Sequence, residues 1–525
     1  MEDIKILGIN PGHDGAIAYI ANGVLEFSFE SEKDNGPRYG EVGPRTFLKA
    51  LEHCSRIPTV IASGGWSAGP DPTGVPIGAG YRGIDPGILS TGRLLGKPVI
   101  NFSSSHERSH ILCAYGLSPF AQGNPCYVLV WEGHIGSFYL VDAQVNVIKL
   151  ADILTDPGIR YAFLYALADP KFKMHRGAVR LSDAGKLMAI AAYASDTPVP
   201  EEGLALVDRI LHPSLSANDL FKDDFNFSSY YNCGVTAPKF ANLAKLLSDR
   251  LYQIFEERIR PLVKDRHPLL ISGGCGLNCE WNSRWKASGI FSDVFVPPCT
   301  NDSGSAIGTA IDAQLSLTGR AKIQWDVYSG ETPIRDLVQC AGFRESIYDA
   351  HAVARLLNDG AILGWMQGRH EIGPRSLGAR SILAVATSEN MLDRLNQVKK
   401  RESFRPIAPI CLEEKMSDHF YPASPSPYML EFRRVISKSI PAVTHVDGSA
   451  RPQSVSARQN ARMHELLSAT ENVSGVPVLC NTSLNFNGSG FLNRLSDLSR
   501  FCAQNELDGF VFEDSIFLRA NHHGS

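Results

Sequence analysis

Two stretches of this chain are built on one pattern. IKILGINPGHDGAIAYIANGVLEFSFE, near the start, alternates β-rich runs with Pro-Gly, Asp-Gly and Asn-Gly. That order predicts strand, tight turn, strand, turn, strand. CYVLVWEGHIGSFYLVDAQVNVIKL, beginning at Cys126, repeats the pattern, with Glu132-Gly133 and Gly136 at the first turn and Asp142 opening the next. A duplicated hairpin of this kind points to an α/β fold with two related halves facing a cleft. Gly-bearing turns also occur in folds that bind nothing, so the duplication bears on architecture and leaves activity open.

The rest of the chain fills in around these copies. SSSHERSHILCAYG reads as a Ser-capped helix start, and helical periodicity dominates from Lys186 to Lys264. PLLISGGCGLN then gives a short apolar strand broken by Gly273-Gly274, and VFVPPCTNDSGSAIGTAIDAQL gives strand, polar loop and small-residue helix. Periodicity is lost over RAKIQWDVYSGETPIRD, residues 320 to 336, which is the candidate linker. From Ile347 an α/β unit restarts: helix DAHAVARLLNDG, strand AILGWMQG, a Gly/Pro/Arg loop, strand RSILAVAT and basic helix MLDRLNQVKKRESFRP. Strands at RPIAPICLEE and GVPVLCNTSLNF close it. A chain of 525 residues exceeds what one core serves, so two domains are expected, 1–330 and a smaller 345–525.

A net charge of -4 provides no overall basic field for a nucleic-acid backbone. The 11 cysteines are scattered without CxxC pairs, which fits reduced thiols in a cytoplasm. The chain opens without a basic-then-apolar leader and holds no apolar run of membrane-spanning length, so it is expected to be neither exported nor membrane-embedded.

His106 and His110 stand i, i+4, so on a helix both imidazoles leave one face and could chelate one ion. Glu132 and Asp302, each just after a predicted strand, are the carboxylates that could complete such a site. A helix-capping Asp302 and a solvated Glu132 explain the same residues. ISGGCGLN, with Gly273, Gly274 and Asn278, and NDSGSAIG, with Asn301 and Gly304, place glycines where backbone N–H groups can approach a phosphate. Neither is a P-loop or a GxGxxG fingerprint, and close helix packing accounts for them equally well.

The last third carries a denser signal. RHEIGPRSLGARS supplies Arg369, Arg375 and Arg380; KKRESFRP supplies Lys399, Lys400, Arg401 and Arg405; DGSARPQSV supplies Arg451. NTSLNFNG adds Asn481, Ser483 and Asn485. Guanidinium groups beside Gly and Pro in loops suit a small phosphorylated anion, which they grip bidentately. The apolar neighbours Ile372, Leu377, Phe404 and Ile407 argue against a merely solvated basic face.

The set PGHDGAI, SSSHERSH, DAGKLM, SGGCGLNCEWN, PPCTNDSGSA, GRHEIGPRSLGARS, KKRESFRPIAP, THVDGSARPQSV and NTSLNF resembles the antibiotic and nodulation O-carbamoyltransferases, in their order and over nearly the whole chain. VWEGHIGSFYL, YAFLYALADP and GGCGLNCEWN resemble the branch that acts on cephem antibiotics. The resemblance implies an actin-like ATPase domain of the type used by the tRNA threonylcarbamoyl-transfer protein. It further implies a smaller α/β domain similar to the one that makes threonylcarbamoyl-adenylate.

In the reaction so implied, Lys399, Arg405, Arg451 and Ser483, with Asn481 and Arg375 nearby, hold carbamoyl phosphate, which reacts with ATP and Mg2+ to give carbamoyl-adenylate and pyrophosphate. The N-terminal domain then binds the adenylate through Gly273, Gly274, Asn278, Asn301 and Gly304, beside a divalent metal, iron in this family. Its implied ligands are His106, His110, Asp302 and Glu132, although relatives often carry Asp where Glu132 stands. His13 and Asp14 match the general-base region, and Asp183, counted with them in catalysis, lies with Lys186 near the adenylate. The carbamoyl group passes to a hydroxyl of a small molecule, without nucleic acid or membrane; a homodimer is compatible with all of this. Two other readings are threonylcarbamoyl transfer to tRNA and a non-catalytic, nucleotide-sensing actin-like regulator.

Overall fold

The computed structural model describes residues 3–65, 68–70, 76–173, 179–337 and 339–520. They fall into two compact units, Met1–Leu117 with Pro297–Thr444 and Gly448–Ser525, and Ser118–Val296 with His445–Asp447. The expected domain limit near residue 330 lies inside the first unit. There the segment without periodicity is pinned by bridges Val24 to Gln324 and Ile334 to Arg494.

Within the first unit, the opening hairpins form as read: strands Lys5–Asn10, Ala16–Ala21 and Val24–Glu30 pair antiparallel. Lys5–Asn10 also pairs parallel with Val60–Gly65, which pairs parallel with Lys97–Ser105. Strand Ile88–Leu94 completes a six-stranded sheet. The second unit repeats this order by itself. An antiparallel meander of Cys126–Trp131, Gly136–Val141 and Val147–Asp152 leads into parallel Leu269–Ser272 and Val294–Phe295. The duplication read from the turns is therefore one of sheet topology. The first strands of both copies are buried, as strands flanked by helices must be.

The first unit also carries an eight-stranded mixed sheet drawn from residues 343–519. Its side chains alternate between two apolar cores: Met366, Ile382 and Phe510 lie in one, Trp365, Leu383 and Val511 in the other. The unit begins with strand Phe343–Ile347, ahead of the expected restart at Ile347. Strands Gln453–Val455, Gly509–Phe512 and Ser515–Arg519 were not foreseen. The basic helix is shorter than its sequence suggested and ends at Val398. Lys400 takes a φ of 48°, in the left-handed region, and that turn sends KKRESFRP off as a loop.

One helix pair fixes the first half. His106–Leu117 packs on Ser305–Thr318 so closely that a Cβ on Gly308 would stand 1.8 Å from the carbonyl oxygen of Ser109. Ser109 Oγ and Thr309 Oγ1 meet at 2.7 Å, and a buried Arg108–Asp312 ion pair at 2.9 Å closes the same seam. Gly308→Ala is expected to lower unfolding free energy by about 1–3 kcal/mol, the usual cost of overpacking. Gly185→Ala, at an exposed helix position with nothing near its Cβ, is expected to add about 0.5–1 kcal/mol. Urea unfolding of the two variants checks both signs.

Candidate functional site

Strand Lys97–Ser105 passes directly into helix His106–Leu117, and Ser105 Oγ accepts the Arg108 N–H at 3.0 Å as the cap expected from sequence. One turn apart on that helix, the Nε2 atoms of His106 and His110 face each other at 3.2 Å, with the rings nearly perpendicular. Asp302, at the start of the facing helix, brings Oδ1 to 3.2 Å from His110 Nε2 and Oδ2 to 3.7 Å from His106 Nε2. All three side chains are buried, and the Tyr81 ring stacks on His106 at 4.5 Å. His13 places Nε2 3.3 Å from Asp302 Oδ2 and Nδ1 3.0 Å from Asp14 Oδ2.

Burial by itself would raise the Asp302 carboxyl, but the imidazoles of His106, His110 and His13 hold it well below the usual carboxylate range. Asp14 moves the other way: burial raises it, and the hydrogen bond with His13 only partly offsets this. Oδ2 of Asp302 accepts no hydrogen bond among the described residues. Two imidazole nitrogens and a buried carboxylate form a donor set that suits a divalent transition metal. Sequence reasoning missed Asn10, whose Nδ2 donates to the Asp302 carbonyl at 2.9 Å and holds that turn in place. Its position beside PGHDG was the available signal. Asn301 precedes the turn and accepts from Ser303 Oγ. A Cβ on Gly304 would stand 2.1 Å from the Cys299 carbonyl, so this glycine is required by packing.

In the second unit, Glu132 follows strand Cys126–Trp131 and accepts the Ile135 N–H at 3.1 Å within its own turn. Gly273, with φ +101°, lies against the Trp131 carbonyl and Glu132 Cβ, while Gly274 has open space at its Cβ position. These residues therefore meet at the C-terminal ends of adjacent parallel strands, the usual ligand end of such sheets. Asn278 caps helix Cys279–Ala287, accepting from the N–H groups of Glu280 and Trp281. Asp183 is fully buried and pairs with Arg180 at 2.7 Å and Lys186 at 3.4 Å.

The eight-stranded sheet carries the cationic cluster. Lys399 Nζ donates to the carbonyls of Ser483 and Asn485 and to Asn485 Oδ1, at 2.7, 3.0 and 2.8 Å. Burial, then the charges of Arg401 and Arg405, push its ammonium well below the ordinary lysine range. Burial, Arg405 and Arg451 together lower the Arg401 guanidinium to about 9. The charges of Arg401 and Arg405 thus act on Lys399 and those of Arg405 and Arg451 on Arg401, while Arg401 Nε donates to Asn396 Oδ1 at 2.6 Å, Arg405 lies 3.9 Å from Glu402 Oε2, and the buried Nε of Arg451 has no hydrogen-bond partner among the described residues. Asn481 donates to the Ser376 carbonyl and Gln453 Oε1, and Ser483 Oγ donates to Asn485. Arg375 is half-buried next to Ser376.

Other cations of the same motifs do different work. Arg369 donates to the carbonyls of Gly330, Glu26 and Ser329, and fully buried Arg380 to Asn493 and the Gln367 carbonyl. Both are internal braces, and Lys400 is exposed. Crowded like charges destabilise a site that has no anion in it. Arg405→Gln is accordingly expected to raise the ligand-free melting temperature by about 1–3 °C, and inorganic phosphate is expected to stabilise the parent protein and not this variant. Scanning fluorimetry with and without phosphate reads both effects.

Residues 92–311 match the carbamoyltransferase N-terminus family and residues 354–519 the carbamoyltransferase C-terminus family. The 3'-hydroxymethylcephem-O-carbamoyltransferase of Streptomyces clavuligerus is 47% identical, over 98% of this chain and 99% of its own. The Amycolatopsis lactamdurans protein of the same name is 45% identical over the same shares. Nodulation protein U of Rhizobium fredii is 36% identical over 93% of this chain and 90% of its own. Likeness to solved structures is low. The activator of 2-hydroxyisocaproyl-CoA dehydratase from Clostridium difficile covers 60% of this chain and is itself covered over 98%, at 13% identity and a TM-score of 0.31. The coordinates thus establish an α/β fold, and sequence identity along almost the full length establishes the rest: the chain belongs to the carbamoyltransferase family.

Proposed function

We propose that this carbamoyltransferase works in two steps, on ATP, carbamoyl phosphate and a hydroxylated acceptor, and that the acceptor is the hydroxymethyl group of a cephem. The acceptor reading rests on the relatives that carry that substrate in their names. The two-step reading rests on one observation: besides an imidazole–carboxylate cluster, the chain carries a second group of mutually repelling cations, Lys399 and Arg401 with Arg405 and Arg451, on segments between the strands of residues 343–519.

Residues 345–525 would act as the adenylate-forming domain and residues 1–330 as an actin-like transfer domain. For the atoms to balance, water first releases phosphate from carbamoyl phosphate. A carbamate oxygen then attacks the α-phosphorus of Mg2+-bound ATP and expels pyrophosphate. The cationic cluster, with Arg375, Asn481 and Ser483, would bind the phosphorylated substrate and stabilise the charge released. In the transfer domain the adenylate would be bound by Gly273, Gly274, Asn278, Asp183 and Lys186 of the second unit; Asn301 and Gly304 of the first unit are separate candidates for the same role. His106, His110 and Asp302 would hold a divalent ion, iron(II) in our reading, which would supply Lewis-acid polarisation of an adenylate oxygen. His13, steadied by Asp14, would take the proton of the acceptor hydroxyl as the new C–O bond forms and AMP leaves, a contribution of about 10²–10⁴-fold. None of the helices described is long and apolar enough to cross a membrane, and a cytoplasmic enzyme fits these substrates.

Incubation with ATP, carbamoyl phosphate and a 3-hydroxymethylcephem is expected to yield the carbamate, AMP, pyrophosphate and phosphate, resolved by mass spectrometry and chromatography. Product formed without ATP would refute the adenylate step. Arg451→Ala is expected to cut pyrophosphate release by about 10²-fold, and unchanged release would remove the anion site.

A further inference from the structure

Three turns of the first unit meet at one buried charge pair. Glu30 ends strand Val24–Glu30, and Lys33 follows it in the next turn; their side chains are 3% exposed and 3.5 Å apart. Both close on the backbone of Gly373, two residues before Arg375 in the arginine loop. Glu30 Oε1 accepts the Gly373 N–H at 2.6 Å, and Lys33 Nζ donates to the Gly373 carbonyl at 2.7 Å. Gly373 has φ +84°, and a Cβ there would stand 2.2 Å from the Pro298 carbonyl and 3.1 Å from Cys299 Cα. That strand of backbone leads into Asn301 and Asp302. The Ser31 N–H, between the two clamp residues, donates to the Gly15 carbonyl at 2.8 Å, next to His13 and Asp14.

We infer that Glu30 and Lys33 are positioning residues, a clamp that registers the Arg375 loop against the turns bearing Asp302 and His13, so that activation of the carbamoyl group and its transfer stay coupled. The inference rests on the two-step reading above. Two charges withdrawn from water are a poor source of stability compared with apolar packing. They do fix one backbone position in both its donor and its acceptor. Lys33 is further held by the Phe491 ring, 3.8 Å from Nζ. Burial raises the Glu30 carboxyl to about 7, with Lys33 and the Gly373 N–H pulling it down and Glu32 and Asp14 pushing it up. An adenylate made in one place and used in another is exposed to water whenever the two loops lose register.

The test compares ATP consumed with carbamoylated cephem formed, in the full-length protein and in Glu30→Ala, Lys33→Met and the charge-neutral double variant E30Q/K33M, which folds even where an unpaired buried charge does not. The parent protein should use one ATP per product. Lys33→Met and the double variant should raise that ratio about tenfold, the scale of a small misplacement. Pyrophosphate release measured without acceptor should stay within about threefold of the parent. Glu30→Gln, which keeps an oxygen for the Gly373 N–H, should restore part of the coupling lost in Glu30→Ala. An unchanged ratio, or a parallel fall in both measurements, overturns the clamp while the two-step reading stands. A parent protein that releases no pyrophosphate from ATP and carbamoyl phosphate overturns both.

Discussion

The contact on which the imidazole–carboxylate cluster depends is backbone against backbone, where the helix carrying His106 and His110 lies on the helix that Asp302 introduces. Gly308 removes the side chain that would stand between them, and Ser109, Thr309, Arg108 and Asp312 fill the seam with hydrogen bonds and an ion pair. Separate these helices by the width of a methyl group and the Asp302 carboxylate no longer reaches the imidazoles. The small residues of NDSGSAIG therefore serve packing first, and whatever the cluster does chemically follows from that packing.

The two candidate sites store charge in opposite ways. Around Asp302, burial and the imidazoles act against one another, and the result is an ionised carboxylate held beside the histidine rings. Around Lys399, burial and neighbouring guanidinium groups act together, so the Lys399 ammonium and the Arg401 guanidinium are harder to keep charged than they would be in water. A bound anion relieves that strain. On the proposed reading, the cluster would give up some stability of the protein for differential affinity toward a phosphorylated ligand.

Much of the architecture was legible in sequence because it was written in local signals. The turns of both hairpins, the Ser105 cap and the strand-to-helix junctions depend on residues a few positions apart, and each formed where the pattern placed it. His106 and His110 were legible for the same reason, since i, i+4 spacing fixes a common face. Long-range features were not. Arg369 and Arg380 share a motif with Arg375, yet their partners are carbonyls and an asparagine supplied by other segments. The clamp joins Lys33 to Gly373 across 340 positions of chain, and no periodicity announces such a pairing. The basic helix was overextended because one left-handed residue, Lys400, ended it without the glycine that usually marks such a turn.

The account stands or falls on whether the paired imidazoles and Asp302 hold an ion. Anomalous diffraction from crystals of the purified protein, collected on both sides of the iron and zinc edges, asks this directly. A peak bonded to Nε2 of His106, Nε2 of His110 and the Asp302 carboxylate, at one of those edges, is the result expected. Imidazoles sharing a proton, with no anomalous peak between them at either edge after metal supplementation, would contradict it.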